Sequence, residues 1–388
     1  MEKPKRDIYK QLQADYQELK LSLSKFYKLC PKNFKKAQKK TDICEVCING
    51  QKAERKLLLL QSQALTSNMT EALQDAVSLY HQHLFFKDKQ QQCYKNHIQH
   101  TTSSSCVVIM DFKENFKIGG GPVETGANFY QKQQVSVLGF AICYKDDQGS
   151  LITCYFDYLS PILSHDSLFI MDCIRKLLAH PFMSRFSTVA FWSDSGPHFR
   201  SAELMYLIIN TLPQLYTDRR FYMNYFVEYH GKNIVDGHFG VLFQWFSDSE
   251  AVQNIHTIDD LLSFFHSKAF IQQTYHNIDF PLIVFDIYLR PNPRTLIHKL
   301  TINNFKTFLC FVKVKNKLFA STISTLMFND YAEVAFQIRI VKDKRKTKYA
   351  PEHQVMDIDV PTVVGPRSTA MLLRRTELTH AHNKMVKI

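Results

Sequence analysis

Apolar side chains recur every three to four residues over 7–29, at Ile8, Leu12, Tyr16, Leu19, Leu23 and Tyr27, a spacing that predicts a helix. A basic stretch follows, and residues 51–90 read as one or two further helices, with "LLLL" in the first and "ALQDAVSLYHQHL" in the second. The polar run "HTTSSS" at 100–105 closes this part. From residue 106 the period shortens. "CVVIMDF", "QVSVLGFAICY" and "SLITCYFDYL" are short runs rich in β-branched and aromatic residues, separated by turn residues, and predict three consecutive strands. "SHDSLFIMDCIRKLLAH" predicts a helix with Ser164 as its N-cap, and "STVAFWSD" a fourth strand. "SAELMYLIINTL" predicts a second helix, "RRFYMNYFVEYH" a fifth strand, and "VDGHFGVLFQWF" the start of a third helix.

In the last third, "IDDLLSFFHSKAFI" is helical, and "FPLIVFDIYL" and "FKTFLCFVKVKNKLFA" alternate as strands do. "AEVAFQIRIVKDKRKTKY" predicts a strand running into a basic cluster of Lys342, Lys344, Arg345, Lys346 and Lys348, suited to phosphate contacts or a nuclear-import signal. The chain thus divides into a basic helical region (1–105), an α/β core (106–250) and a small mixed or β-rich C-terminal α+β region with a basic tail (251–388).

Three acids stand where apolar runs stop or a helix begins: Asp111 ends the first strand, Asp194 the fourth, and Asp236 opens the helix after the fifth. Each alone is an ordinary turn or helix-start residue. Together, with strands one and four adjacent, they make a carboxylate cluster. Carboxylates are the ligands Mg²⁺ prefers, and two such ions roughly 4 Å apart stabilise both the attacking and the leaving oxygen of a phosphodiester displacement. In that arrangement Asp111 bridges both ions and Asp194 and Asp236 each serve one. Glu114 and Glu228 are alternatives for a missing ligand, and Asp157, inside the third strand, reads as structural.

The order β-β-β-α-β-α-β-α is that of the ribonuclease H-like fold. The blocks "DFKEN", "WSDSGPHFR" and "YHGKNIVDGHFG" resemble the three signature blocks of a eukaryotic DDE/D transposase-like family. The resemblance covers about 106–245. It implies a ribonuclease H-like core with a mixed five-stranded sheet and flanking helices. It also implies strand cutting or transfer on DNA with Mg²⁺ or Mn²⁺, an Asp111, Asp194 and Asp236 triad, action in the nucleus, and a homo-oligomer on DNA ends. The second block departs from the family form at "SGPHFR", so Ser195 and His198 carry no expectation. His230 and Lys232, beside the third acid, are candidates to orient a water or contact the scissile phosphate, and His238 lies close by. "IGGGPVE" at 118–124 lacks the Lys and Ser/Thr of a phosphate-binding loop and reads as a connection beside the site. A catalytically silent relative that binds DNA or chromatin is the alternative, and an RNA-directed enzyme a more distant one, since no RNA-recognition signature is present.

Composition agrees with a polyanionic partner. The 388 residues carry a net charge of +12, and residues 1–56 hold 15 Lys or Arg against 7 acids. No apolar run reaches the roughly 20 residues a bilayer span needs, and "MEKPKRDIYK" lacks a signal-peptide core, so no membrane and an intracellular setting are expected. The nine cysteines then read as thiols or metal ligands. Cys44 and Cys47 have CxxC spacing, and Cys93 with His97 has the spacing of a ligand pair. These four predict a structural Zn²⁺ site, with Cys30 able to replace one of them. His81 and His83 read as surface helix residues, and Cys106, Cys143, Cys154 and Cys173 as small core hydrophobes.

Overall fold

The computed structural model describes residues 5–16, 18, 20–30, 44–62, 68–119, 132–253, 255–276, 282–290, 296–326 and 330–349. Most of the Gly-rich "IGGGPVE" stretch and everything after residue 349 lie outside these.

The helical pattern of 7–29 resolves into two helices, α1 (Lys5–Asp15) and α2 (Leu23–Leu29), rather than one. Ser22 caps α2, its hydroxyl accepting from Lys25 N at 3.3 Å, and that cap starts a new helix. α3 (Glu45–Ser62) and the 32-residue α4 (Asn68–Gln99) pack as a hairpin. Their axes come close at Gly50, where a Cβ would fall 2.2 Å from the Tyr80 ring, so the buried tyrosine occupies the space a side chain would take.

Next come β1 (Ser105–Ile118), β2 (Gln133–Lys145) and β3 (Leu151–Ser160), an antiparallel meander. α5 (Ser167–Ala179) follows, capped by Asp166, which accepts from Phe169 N at 3.0 Å. Ser164, the expected cap, instead accepts from Lys348 N at 2.9 Å. β4 (Thr188–Ser193) leads to α6 (Ala202–Tyr206), which passes through a π-helical turn (Leu207–Thr211) into α7 (Leu212–Leu215). β5 (Arg220–Tyr225), α8 (Ile234–Gln253) and α9 (Ile258–His276) complete the core order.

Four strands of the last third join the core sheet. β6 (Ile283–Ile287) pairs parallel to β3, and β8 (Cys310–Val314), β9 (Lys317–Ser321) and β10 (Ala332–Val334) extend the other edge from β5. Among the described residues the sheet has nine strands in the order β10-β9-β8-β5-β4-β1-β2-β3-β6, a mixed α/β arrangement. β7 (Leu296–Ile302) and β11 (Phe336–Lys342) form a separate antiparallel pair.

β1, β4 and β5 run parallel at the centre, and β2 is buried along nearly its whole length. Such strands, covered on both faces, need near-continuous apolar sequence, which "CVVIM" and "VAFW" supply. One face packs α5 and α6 through Val108, Met110, Phe169 and Leu204. The other packs α4, α8 and α9 through Ile109, Trp192, Tyr94, Phe239 and Phe265. Among the described residues no helix is long and apolar enough to cross a membrane.

Candidate active site

Side chains alternate across a strand, so Asp111 shares the face of Val107 and Ile109, and Asp194 that of Ala190 and Trp192. This is the face covered by α8. In the parallel pairing of β1 with β4, Ile109 lies opposite Trp192, and two residues further bring Asp111 level with Asp194, just past the end of β4. Asp236 stands in the first turn of α8. Asp111 is half-buried, and its carboxyl is pushed up to about 8, first by burial and then by the negative charges of Asp194 and Asp236. Asp111, expected to end the first strand, lies within β1, which pairs on to Ile118. One mid-strand, one strand-end and one helix-start carboxylate thus share an electrostatic neighbourhood, their oxygens not all within 4.8 Å of one another.

Each is held by its own local structure. Asp111 accepts from Phe112 N at 2.8 Å. Asp194 accepts from Gly196 N at 2.9 Å, and a Cβ on Gly196 would come 3.0 Å from that same oxygen, so a side chain there would crowd the carboxylate. Asp236 reaches back to Asn233 N at 2.8 Å, while Asn233 Oδ1 accepts from Val235 N at 2.8 Å, a reciprocal cap that fixes the start of α8. Gly231 lets the loop before α8 lie against Asp194, since a Cβ there would sit 3.1 Å from the Asp194 Cβ.

The surrounding residues divide into scaffold and exposed groups. Ser195 donates to Phe226 O at 2.6 Å and ties the end of β4 to β5. Arg200 spends its guanidinium on the backbone oxygens of Phe305, Lys306 and Phe308. His198 is pushed down by burial despite the nearby Asp194, and its Nε2 is buried without a hydrogen-bond partner. Lys113, two residues past Asp111, is buried with its ammonium 3.8 Å from the Phe116 ring centre, and burial pulls it down to about 8. Its position inside the "DFKEN" block was the available signal for it. Glu114, Glu228 and Lys232 are exposed. Asp157 and His238 form a buried pair further along the same face.

A second cluster lies where the helical hairpin meets the loop before α8. Ligand atoms of Cys44, Cys47, His83 and His230 all fall within 4.8 Å of one another, a set that could hold a metal ion. This corrects the expected ligand set. Cys44 and Cys47 take part, but Cys93 and His97 do not. Continuous helix carries them 10 and 14 residues past His83, about 15 and 21 Å along α4 at 1.5 Å per residue. Cys93 packs against the core, and His97 Nδ1 accepts from Trp192 Nε1 at 3.2 Å. His83, expected to be a surface residue, enters because α3 and α4 are antiparallel: three residues back from Gly50 and three on from Tyr80 bring Cys47 level with it. His230, expected beside the carboxylates, turns its Nε2 into this cluster instead.

The chain belongs to the family described as "Domain of unknown function (DUF8701)", whose model matches residues 90–286. That span runs from within α4 to the end of β6 and contains all three acids and His230. No curated protein matches the chain. Among solved structures, one described as "Crystal structure of the Mos1 Strand Transfer Complex" is similar over 71% of this chain and 86% of that chain, at 12% identity and a TM-score of 0.27. A likeness at that level carries no argument about this chain.

Proposed function

We propose that the protein is a divalent-metal-dependent enzyme that cuts or transfers DNA strands, built on a ribonuclease H-like core of the DDE/D transposase type. The observation that carries this reading is the placement of Asp111, Asp194 and Asp236 at one face of the sheet, where burial first and then the two neighbouring acids raise the Asp111 carboxyl. Like charges gathered on a half-buried carboxylate are costly unless a cation joins them, so the donor set fits hard divalent ions with oxygen ligands. The strand order β3-β2-β1-β4-β5 at the centre, antiparallel then parallel, supports the ribonuclease H-like reading. The net charge of +12 supports a polyanionic substrate.

Asp111, Asp194 and Asp236 would hold Mg²⁺ or Mn²⁺, which when bound lowers the charge cost at the attacking and leaving oxygens of the phosphodiester. The chain's own residues keep the carboxylates in register. The β1–β4 pairing aligns Asp111 with Asp194, and the Asn233 cap fixes Asp236. Lys232, exposed on the loop before α8, is placed to meet a DNA phosphate.

Purified protein incubated with duplex, nicked and single-stranded DNA in Mg²⁺ or Mn²⁺, beside Asp111→Asn, Asp194→Asn and Asp236→Asn, tests the reading. Metal-dependent cutting lost in all three variants supports it. DNA binding with no cutting, unchanged by the substitutions, overturns it in favour of a DNA-binding scaffold.

A further inference from the structure

The Cys/His cluster draws its members from three places. Cys44 and Cys47 flank the start of α3, His83 stands midway along α4, and His230 lies on the loop between β5 and α8. We propose that these four side chains bind one structural zinc ion, and that this ion fastens the helical hairpin to the loop between β5 and α8, which lies against Asp194 and leads into Asp236.

The spacings fit a tetrahedron around zinc. With Zn–N near 2.0 Å and Zn–S near 2.3 Å, neighbouring ligand atoms stand about 3.3 Å apart for N and N and about 3.5 Å for S and N. The structure has 3.0 Å between the Nε2 atoms of His83 and His230, 3.3 Å from Cys44 Sγ to His83 Nε2, and 3.5 Å from Cys47 Sγ to His230 Nε2. Two thiolates and two imidazoles suit zinc, and four protein ligands leave no open position, as in a structural site. Two thiolate charges also balance the ion, which a site with Cys44 buried requires.

The backbone is shaped to deliver the fourth ligand. Tyr229, with φ of 61°, takes the left-handed conformation that bulky residues rarely adopt. The turn it makes sends His230 towards α3 and α4. His230 N donates to Val227 O at 3.0 Å, and its carbonyl accepts from Gln91 Nε2 at 2.9 Å, so the peptide groups on both sides of the residue are pinned. The next residue, Gly231, abuts Asp194, and five residues further stands Asp236. A metal on His230 thus constrains the segment between two of the three acids. His230 on this account is a positioning residue, with its Nε2 committed to the ion.

The assignment does not depend on DNA cutting, so its test reads metal directly. Full-length protein purified without chelators is expected to carry about one zinc per chain by elemental analysis. Cobalt substitution should give thiolate-to-metal charge transfer and the intense visible bands of a tetrahedral site. Cys47→Ser, His83→Ala and His230→Ala should weaken zinc binding at least about tenfold, while Cys93→Ala and His97→Ala leave it unchanged. His230→Cys keeps a ligand, so it should retain zinc and strengthen the cobalt charge-transfer band, which guards against reading a folding defect as a lost ligand. Chelation should speed amide exchange over 227–236 and leave β2 and β3 as they were. Protein without zinc, or zinc kept by the His83 and His230 variants and lost from the Cys93 and His97 variants, overturns the proposal. Zinc bound by all four residues with no change in exchange over 227–236 overturns the fastening role.

Discussion

His238 Nε2 lies 2.7 Å from Asp157 Oδ2, with the two side chains 3% and 0% exposed. Asp157 is opposite Gly139, and Gly139 opposite Asp111, so the pair sits two strands from the first acid on the same face. His238 is two residues beyond Asp236, so this contact ties the first turns of α8 to the sheet beside buried Val235. Tyr155 stacks on the imidazole at 4.0 Å, and a Cβ on Gly139 would strike both the Phe239 ring and Asp157. His238→Ala would strand a buried carboxylate, and breaking such a pair costs about 3–5 kcal/mol. Urea unfolding checks the size of the loss. Adding Asp157→Asn to His238→Ala should recover part of it, because the uncompensated charge is then gone.

Gathering three acids has a stability consequence. Asp111→Asn replaces a carboxyl that must take up a proton on folding near neutral pH with a side chain that is already neutral, and should stabilise the metal-free protein by about 0.5–2 kcal/mol. Wild type should gain about 2.7 kcal/mol from Mg²⁺ at one hundred times its Kd, and the variant much less. Thermal melts with and without Mg²⁺ measure both. A wild type whose melting point ignores Mg²⁺ and Mn²⁺ would count against an ion on these carboxylates.

Acid should destabilise the fold through His97. Burial holds this imidazole down to about 4 from its ordinary 6.5, and it accepts from the Trp192 indole in its neutral form. Between those values the unfolded chain binds the extra proton and the native chain does not, so stability rises with pH across that window. The contribution is complete above about 6.5 and lost as pH falls towards 4, a change of about 3 kcal/mol. His97→Gln, which cannot titrate, should flatten that part of a stability-against-pH curve.

The basic stretch after β11 splits by parity. Lys342, Lys344, Lys346 and Lys348 are exposed, whereas Arg345 faces inward to Glu203 at 2.7 Å and Asp343 at 2.8 Å. If the lysines meet DNA phosphates, replacing each with Gln should lower the slope of log affinity against log salt by about 0.9 per contact. Arg345→Gln should leave the slope alone and destabilise the fold, because Glu203 is buried. Binding titrations over a range of salt separate the two effects.

The positions of the acids were readable from the sequence because each closes an apolar run or opens a helix, and a short-range pattern marks such ends. That Asp111 and Asp194 stand level needs the β1–β4 register, which no local pattern states. His83 was hidden for a similar reason. Its helical period is that of a surface residue, and only the antiparallel α3–α4 packing brings it to Cys47. Cys93 and His97 had ligand spacing along the chain but sit further up the same rigid helix. The last third read correctly as strands in "FPLIVFDIYL" and "FKTFLCFVKVKNKLFA", yet their partners, β3 and β5, lie more than a hundred and about ninety residues away in the chain. The Asp166 cap displaced Ser164 because Lys348, far along the chain, claims the serine hydroxyl.

The 32 residues of α4 make an unbroken rod of about 48 Å. Along it, His83 meets the Cys/His cluster, Gln90 grips Tyr225 O and Ser324, Gln91 holds His230 O, and His97 receives the Trp192 indole. Those grips fall on one side of one lever, so none can slide without dragging the others. A displacement of α4 at the cysteine and histidine end would therefore reach the ends of β4 and β5 as a whole-body movement, in the way a key's shank turns its bit.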